Sequence, residues 1–575
     1  MCSEHHEDPV YRLIRNFTLQ NAMKYGKGDP KAIMGKVMRD HQEMKSRAKE
    51  VIQWIGEVCR ETATLSPEDM ERELSIHAPE LLVKKETIKE LGLADLPNVD
   101  GEVVMRFAPG PSGPLHIGHS RAAILNDEFV KRYGGRYILR LEDTNPMKIL
   151  PEAYDMIPED MAWLGTTIHE VVNQSDRFGI YLDYARKIIE VGGGYVCSCP
   201  VEEWRTLKEK NLPCPHRGLP VADQIGEWEK MLDGTYGEGE SSLMVKTDLA
   251  HPNPAVRDFV AMRINDHPHP RTGNRFRVYP LYNFSVAIDD HLMGMTHVIR
   301  GKDHLNNTYK QKYVYDYFGW SQPVFIHYGW VSIPETLLKT SSIKEGIQQG
   351  EYSGWDDVRL GTFRALEKRG FDPDSIRRYW TEVGTKEVDI TFSWKNLIAY
   401  NKELIDPVSP RFFFVADPVD MTITNVIELD GKAPFFPGHP EKGHRNVHLV
   451  SDGIGIRIVV TREDVEMFEE GKLLRLKDLG NVRILKIGPK GVAAEYVGND
   501  HTVIRQGARN IHWCPQHGVE TTVFMDDGSI ISGLTEPMIL DTENSTVQFE
   551  RFGFVRIEKI VDGNEKRIAA YFTHK

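Results

Sequence analysis

The apolar pattern is most telling between residues 101 and 145, where its period changes twice. Val103, Val104 and Phe107 group as a short buried strand, and the run Pro109-Gly110-Pro111-Ser112-Gly113-Pro114 then excludes regular structure. Ala122, Leu125, Phe129, Val130 and Tyr133 recur at helical spacing until Gly134-Gly135 ends the helix, and Tyr137 to Leu141 supply a second strand. This is a strand-helix-strand unit of Rossmann type. Such units bind ligands beyond the carboxyl ends of their strands, and the helix N-terminus, with free N–H groups and a favourable dipole, accepts an anion. His116 and His119 stand at that end.

The rest of the chain divides by the same reading. Residues 1–95 read as helical: Ile33, Val37, Met44, Ala48, Val51, Ile52, Ile55 and Cys59 form an apolar stripe, and Ser66-Pro67-Glu68-Asp69 supplies an N-cap for the next helix. Pro97-Asn98-Val99-Asp100-Gly101 reads as a linker. From 96 to 335 strands alternate with helices, interrupted at about 195–280 by a segment rich in Pro, Gly and Cys; 336–405 is helical. From 406 to 575 short Val/Ile/Phe runs dominate, such as Val482 to Ile487 and Val555 to Ile560, which alternate with period two and predict paired β-barrels. The fold class expected is therefore multidomain α/β, with a helical N-terminal region, a Rossmann-type domain carrying an insertion, a second helical region and C-terminal β-barrels.

Composition narrows the partners. The 575 residues suffice for roughly three to five domains. No apolar run approaches the ~18 residues a membrane span needs. Met1 to Asp8 is too polar for a secretory signal, so a cytoplasmic location and no membrane partner are expected. Six cysteines in so long a chain do not make a disulfide framework, which fits a reducing compartment. Triplets such as Asn16-Phe17-Thr18 and Asn544-Ser545-Thr546 then carry no glycosylation meaning. A net charge of −13 argues against indiscriminate nucleic-acid binding, and no DNA partner is expected. RNA held by local basic patches and shape is compatible with it.

The motif settings carry more. Arg106-Phe107-Ala108-Pro109-Gly110-Pro111-Ser112-Gly113 leads into Pro114-Leu115-His116-Ile117-Gly118-His119, and Leu139-Arg140-Leu141-Glu142-Asp143-Thr144-Asn145-Pro146 follows. The His-Ile-Gly-His run in this setting resembles the signature of class I aminoacyl-tRNA synthetases, with flanks like those of the glutamyl/glutaminyl branch. Over most of its length the chain is similar to archaeal-type glutamyl-tRNA synthetases. That resemblance implies glutamate activation by ATP with Mg²⁺ to an adenylate, then transfer to tRNA(Glu); it leaves tRNA(Gln) open as a second acceptor. It also implies an acceptor-stem role for the insertion, a tRNA grip for the N-terminal region and anticodon reading by the barrels.

Site residues follow from the same resemblance. His116, Gly118 and His119, with Pro109 in the loop before them, would meet the phosphates of ATP. Arg106 and Arg300 would take the side-chain carboxylate of L-glutamate, since a guanidinium offers a planar fork to it and leaves the amide of glutamine ill matched. Ala108, Glu142 and Tyr282 would line the same pocket, Glu142 against the α-ammonium. Asp303 is a weaker nucleotide candidate. Asp289 and Asp290 read as turn-forming residues that support the fold. The second class I motif, usually Lys-Met-Ser-Lys-Ser, departs here to Leu338-Lys339-Thr340-Ser341-Ser342-Ile343-Lys344. Lys339, Ser341 and Ser342 keep their places, the second lysine is out of register, and Lys344 stands one turn on.

Cys197-Ser198-Cys199 and, after fourteen residues, Cys214-Pro215-His216 make a Cys-x-Cys…Cys-x-His set. Three thiolates and an imidazole suit a four-coordinate structural Zn²⁺. Cys2, His5 and His6 are assigned to a mobile terminus, and Cys514 with His517 to barrel filling. Two rivals remain at this stage: a glutaminyl-tRNA synthetase, which usually has aspartate where Glu142 stands, and a non-catalytic tRNA-binding paralogue of such an enzyme.

Overall fold

The structure is a computed structural model that describes residues 8–40, 44, 47–81, 93–543, 545–562 and 565–575. Cys2, His5, His6 and Asn544 lie outside the described residues. The chain forms two compact units, Met1–Glu90 and Leu91–Lys575. No described helix is long and apolar enough to cross a membrane.

The first unit holds α1 (Pro9–Tyr25), α2 (Pro30–Asp40), α3 (Ala48–Thr62) and α4 (Pro67–His77). The single stripe read from sequence is shared between α2 and α3, and Ile52, placed within it, is 59% exposed. On α3 the buried face is Val51, Trp54, Ile55 and Val58, at spacings of three, one and three residues, so the indole of Trp54 takes the place assigned to Ile52. Ser66 caps α4 as expected, its hydroxyl accepting the Asp69 N–H at 3.1 Å.

In the second unit, β1 (Val104–Phe107), α5 (Ile117–Tyr133), β2 (Arg136–Leu141), α6 (Ala153–Trp163), β3 (Glu170–Asn173) and α7 (Phe178–Glu190) follow one another. Gly134 ends α5 at φ 70°, a conformation that a β-carbon would strain. Strands β1, β2 and β3 form a parallel sheet in that order. Leu93 and Leu96, ahead of β1, are buried in the core of this sheet and its helices.

A four-stranded antiparallel sheet interrupts the pattern: β4 (Gly194–Cys197), α8 (Val201–Glu209), α9 (Val221–Asp233), β5 (Ser242–Val245), β6 (Phe259–Ile264) and β7 (Val278–Pro280), with strand order β4-β5-β6-β7. It has its own core around Phe178, Trp228, Leu243 and Phe284. The chain returns through α10 (Tyr282–Leu292), β8 (His297–Gly301), α11 (Leu305–Phe318) and β9 (Val324–Tyr328). Parallel β8 and β9 lie on the other side of β1 from β2, joined to it by the Thr296 N–H bonded to Val104 C=O at 3.0 Å. Strand order therefore reverses at β1, and the carboxyl ends of β1 and β8 are where doubly wound sheets bind ligands.

Next come β10 (Val331–Ser332), α12 (Thr340–Gln348), α13 (Phe363–Lys368), α14 (Pro373–Val383), β11 (Ile390–Thr391) and α15 (Trp394–Ile405). The rest is two seven-stranded β-sheets, each curled round its own core, one centred on Met421, Ile458 and Val482 and the other on Phe412, Val547 and Ile557, with a two-stranded antiparallel ribbon of Glu428–Pro434 and His444–Val450. Val482 and Ile484 point inward and Leu485 outward as their alternation predicts, and a bulge between Ile484 and Lys486 then shifts the register, leaving Lys486 exposed and Ile487 half-buried. Cys514 is buried as expected; His517 is exposed and fills nothing.

Candidate functional site

The loop from β1 to α5 is shaped by its own side chains. The Gly118 N–H donates to His116 Nδ1 at 3.1 Å, and the His116 N–H donates to His119 Nδ1 at 3.2 Å, a reciprocal cap built from two histidines. Both Nδ1 atoms act as acceptors, so each neutral ring carries its proton on Nε2 and keeps that N–H for a ligand. The ring centroids lie 3.8 Å apart with the planes tilted by 30°. Burial pushes His116 down to about 4 and His119 well below its usual value, so both are neutral imidazoles at pH 7. A side chain at position 118 would meet the His116 ring at 2.9 Å, which explains the glycine. Asp160 of α6 steadies the loop from behind by accepting the Leu115 N–H at 2.7 Å.

The run around Lys339 is brought against this loop. Lys339 precedes the first turn of α12, and its neighbours Leu338 and Thr340 pack towards Gly118 and Gly113. The Ile117 N–H donates to Gly361 C=O at 2.9 Å and the Phe363 N–H to Leu115 C=O at 3.0 Å, closing the loop from the far side. Lys339, Ser341 and Lys344 are exposed and Ser342 is half-buried.

Arg106 lies near the end of β1 and Arg300 near the end of β8, both 5% exposed. Arg106 donates from Nε and Nη2 to the two carboxylate oxygens of Asp290, each at 3.2 Å. Arg140 donates to the same carboxylate at 2.7 Å and to Glu142 at 3.2 Å. Burial raises the Glu142 carboxyl to about 7 despite the attraction of Arg140 and Arg106. Arg300 reaches Tyr282 Oη at 3.5 Å, and its Nη2 is held by Thr308 Oγ1 at 2.5 Å and Gln311 Oε1 at 2.8 Å. Tyr282 Oη also meets His304 Nδ1 at 3.2 Å. Ala108 and Pro109 continue the loop from Arg106, and Pro109 C=O accepts the Glu142 N–H at 2.9 Å. Asp303 stands apart: it is exposed, its carboxylate 3.5 Å from His304 Nε2.

Two readings change here. Asp289 and Asp290 are not turn residues: both are buried on α10, Asp289 accepting from Arg177 at 2.7 Å, Gln174 at 2.8 Å and Tyr181 at 2.6 Å. Their spacing to the arginines, more than a hundred residues away in the chain, left no local trace. Arg140, Thr308, Gln311 and His304 were also missed. Arg140 did leave a signal, an arginine inside the apolar run Tyr137 to Leu141, where a charge is kept only if paired.

Cys197, Cys199, Cys214 and His216 converge, their ligand atoms all within 4.8 Å of one another. Cys197 Sγ is 3.7 Å from Cys214 Sγ, and Cys199 Sγ is 3.4 Å from His216 Nδ1. Zinc–sulfur bonds of about 2.3 Å in a tetrahedron place sulfurs about 3.7 Å apart, so this donor set fits a four-coordinate zinc with no open position.

The catalytic-domain family model "tRNA synthetases class I (E and Q)" matches residues 102–407, and the anti-codon binding domain model of the same group matches 409–498. A glutamate–tRNA ligase of Methanocaldococcus jannaschii is 49% identical over 95% of this chain and 97% of its own length. One from Pyrococcus furiosus is 46% identical over 98% of this chain and all of its own. A glutamate tRNA ligase structure from Elizabethkingia meningosepticum covers 54% of this chain and 70% of its own at 23% identity, with a TM-score of 0.38. With both family models matching in sequence order and relatives of equal length aligned from end to end, the chain belongs to the class I tRNA synthetases of the glutamate and glutamine group.

Proposed function

We propose that this protein ligates L-glutamate to tRNA by way of a glutamyl-adenylate, using ATP. The observation that carries the choice of amino acid is the pair of buried arginines, Arg106 and Arg300, at the carboxyl ends of adjacent strands, with Glu142 across from them. A crevice lined this way suits a zwitterion with an anionic side chain. The carboxylate of glutamate goes to Arg106 and Arg300 beside Tyr282 and Ala108, and its ammonium to Glu142.

ATP lies along the loop from Pro109 to His119. His116 and His119 donate from Nε2 to phosphate oxygens as charge builds on the leaving pyrophosphate, and the amides at the start of α5 add to them. Mg²⁺, when bound, would shield the phosphates; Lys339 supplies the cation of the second motif, Ser341 and Ser342 follow it, and Asp303 contacts the nucleotide from the turn after β8. The reaction is chiefly in-line placement and charge neutralisation, which neutral, prepositioned donors perform without reorganising.

The division of labour follows the segments. Residues 1–95 help grip tRNA, 96–335 carry the chemistry, the insertion at about 195–280 meets the acceptor end and is stapled by structural Zn²⁺ at Cys197, Cys199, Cys214 and His216, 336–405 contacts the stem, and 406–575 reads the anticodon. The setting is the cytoplasm.

Pyrophosphate exchange with tRNA present tests the amino acid: a response to glutamate is expected, and a response to glutamine alone overturns the proposal in favour of a glutaminyl enzyme. The proposal includes tRNA(Gln) as a second acceptor beside tRNA(Glu). Purified isoacceptors test that part, and esterification of tRNA(Glu) alone removes it.

A further inference from the structure

The pocket has a frame behind it. Asp290 occupies one whole edge of the Arg106 guanidinium, Nε and Nη2 at 3.2 Å each, and leaves the Nη1–Nη2 edge without a hydrogen bond among the described residues. The same carboxylate takes Arg140 Nη1 at 2.7 Å, and Arg140 Nη2 reaches back to Glu142 at 3.2 Å. Arg106, Asp290, Arg140 and Glu142 thus form one unbroken chain of charged hydrogen bonds. It runs from the cation assigned to the side chain to the acid assigned to the ammonium. Arg106, Asp290 and Arg140 are almost wholly buried, so the bonds are unscreened and the geometry is stiff.

We propose that Asp290 is a positioning residue that aims the free edge of Arg106 at the amino-acid side chain, with Arg140 as the strut that sets the distance from that edge to Glu142. This rests on the reading of Arg106 as the carboxylate clamp. Asp290 does not touch substrate. A guanidinium offers a carboxylate two bidentate edges, Nε–Nη2 and Nη1–Nη2, and rotating it about its long stem would aim neither squarely at the substrate. By occupying the competing edge, Asp290 removes that freedom, and α10, which also carries Tyr282, ties the aim of Arg106 to the position of the pocket hydroxyl.

The test uses the full chain with tRNA and ATP, measuring pyrophosphate exchange against glutamate and against ATP, together with the melting temperature. In Asp290→Asn one carboxylate oxygen becomes an N–H donor facing arginine. The KM for glutamate should rise about tenfold or more, as expected for a lost charged, oriented contact, while the KM for ATP stays within about twofold. Arg106→Gln should raise the glutamate KM at least as far, and the double variant Asp290→Asn/Arg106→Gln should lie no higher than Arg106→Gln alone, because Asp290 acts through Arg106. Additive losses, or a rise in both KM values with a lowered melting temperature, would assign Asp290 to charge balance only and overturn the inference. An unchanged glutamate KM in Arg106→Gln would instead sink the clamp reading itself. Should Asp290→Asn not fold, Asp290→Glu keeps the charge but displaces it by one methylene; an unaltered glutamate KM there overturns the positioning role.

Discussion

Gly113 lies directly under Thr340: a β-carbon added at Gly113 would sit 2.5 Å from Thr340 Cγ2 and 3.2 Å from the Trp355 ring. The first loop and the run holding Lys339, more than two hundred residues apart in sequence, meet at a position with no room for a methyl group. Gly113→Ala must therefore displace Thr340, the residue that follows Lys339, and is expected to move Lys339 with it. A displacement of about 1 Å at such a site costs up to roughly a hundredfold in rate. Adenylate formation should fall at least about tenfold with little loss of melting temperature, and Gly113→Ala/Thr340→Ala, which deletes the clashing methyl, should recover much of it. Failure of the second change to help would show that the contact does not transmit to the chemistry.

The cap that His116 makes and the phosphate contact proposed for it can be separated by substitution. His116 Nδ1 caps α5 and its Nε2–H is free for phosphate. His116→Asn keeps a cap and loses the distal donor, so its thermal midpoint should match the parent while adenylate formation drops by about 10²–10³-fold. His116→Ala should lose both. Single-turnover adenylate assays and thermal melts on the two variants check this; an active Asn variant would mean that the ring does not meet the phosphates.

Glu142 titrates near neutrality, at about 7, because burial disfavours its charge. The ammonium of a bound amino acid favours the ionised form. Below pH 7 binding must therefore expel a proton, and affinity weakens as pH falls, approaching tenfold per unit, whereas above about pH 8 it levels off. Calorimetry in buffers of different ionisation enthalpy should record proton release near pH 7. Glu142→Gln should bind glutamate more weakly and without this pH dependence; a parent enzyme with pH-independent affinity from 6 to 8 would contradict the assignment.

Zinc at the Cys/His cluster is measurable apart from activity. Purified protein should hold about one zinc per chain, and Cys199→Ser or a strong chelator should remove it, since each ligand supplies a share of a closed coordination sphere. Amide hydrogen exchange should then speed up around β4 and residues 214–218, leaving β1 and α5 protected. Metal-free protein with unaltered exchange there would make the cluster four uncoordinated side chains.

How much of this was legible differs from segment to segment. The β1–α5–β2 unit was readable to within a residue or two, since its strand, breaker and helix signals are local and agree. Ile52 was misplaced because the reading ran one stripe through two helices, and a helix face is decided by its partner. The alternation of Val482 to Ile487 breaks after Ile484 at a bulge, which changes the register without changing the composition. The metal set was visible as spacing alone, whereas Arg140, Thr308 and Gln311 looked like ordinary strand and helix residues.

By itself the amino-acid order determined what depends on neighbours along the chain: the Pro/Gly loop that leads to two histidines at a helix start, the helix ends at Ser66 and Gly134, and the ligand spacing of the cysteines. Only the tertiary structure decided that Asp290 holds Arg106, that Thr340 touches Gly113, and that both histidines are neutral. Those depend on which distant groups are packed together and on how much water is excluded between them, and neither burial nor a charge partner is encoded in any short stretch of sequence.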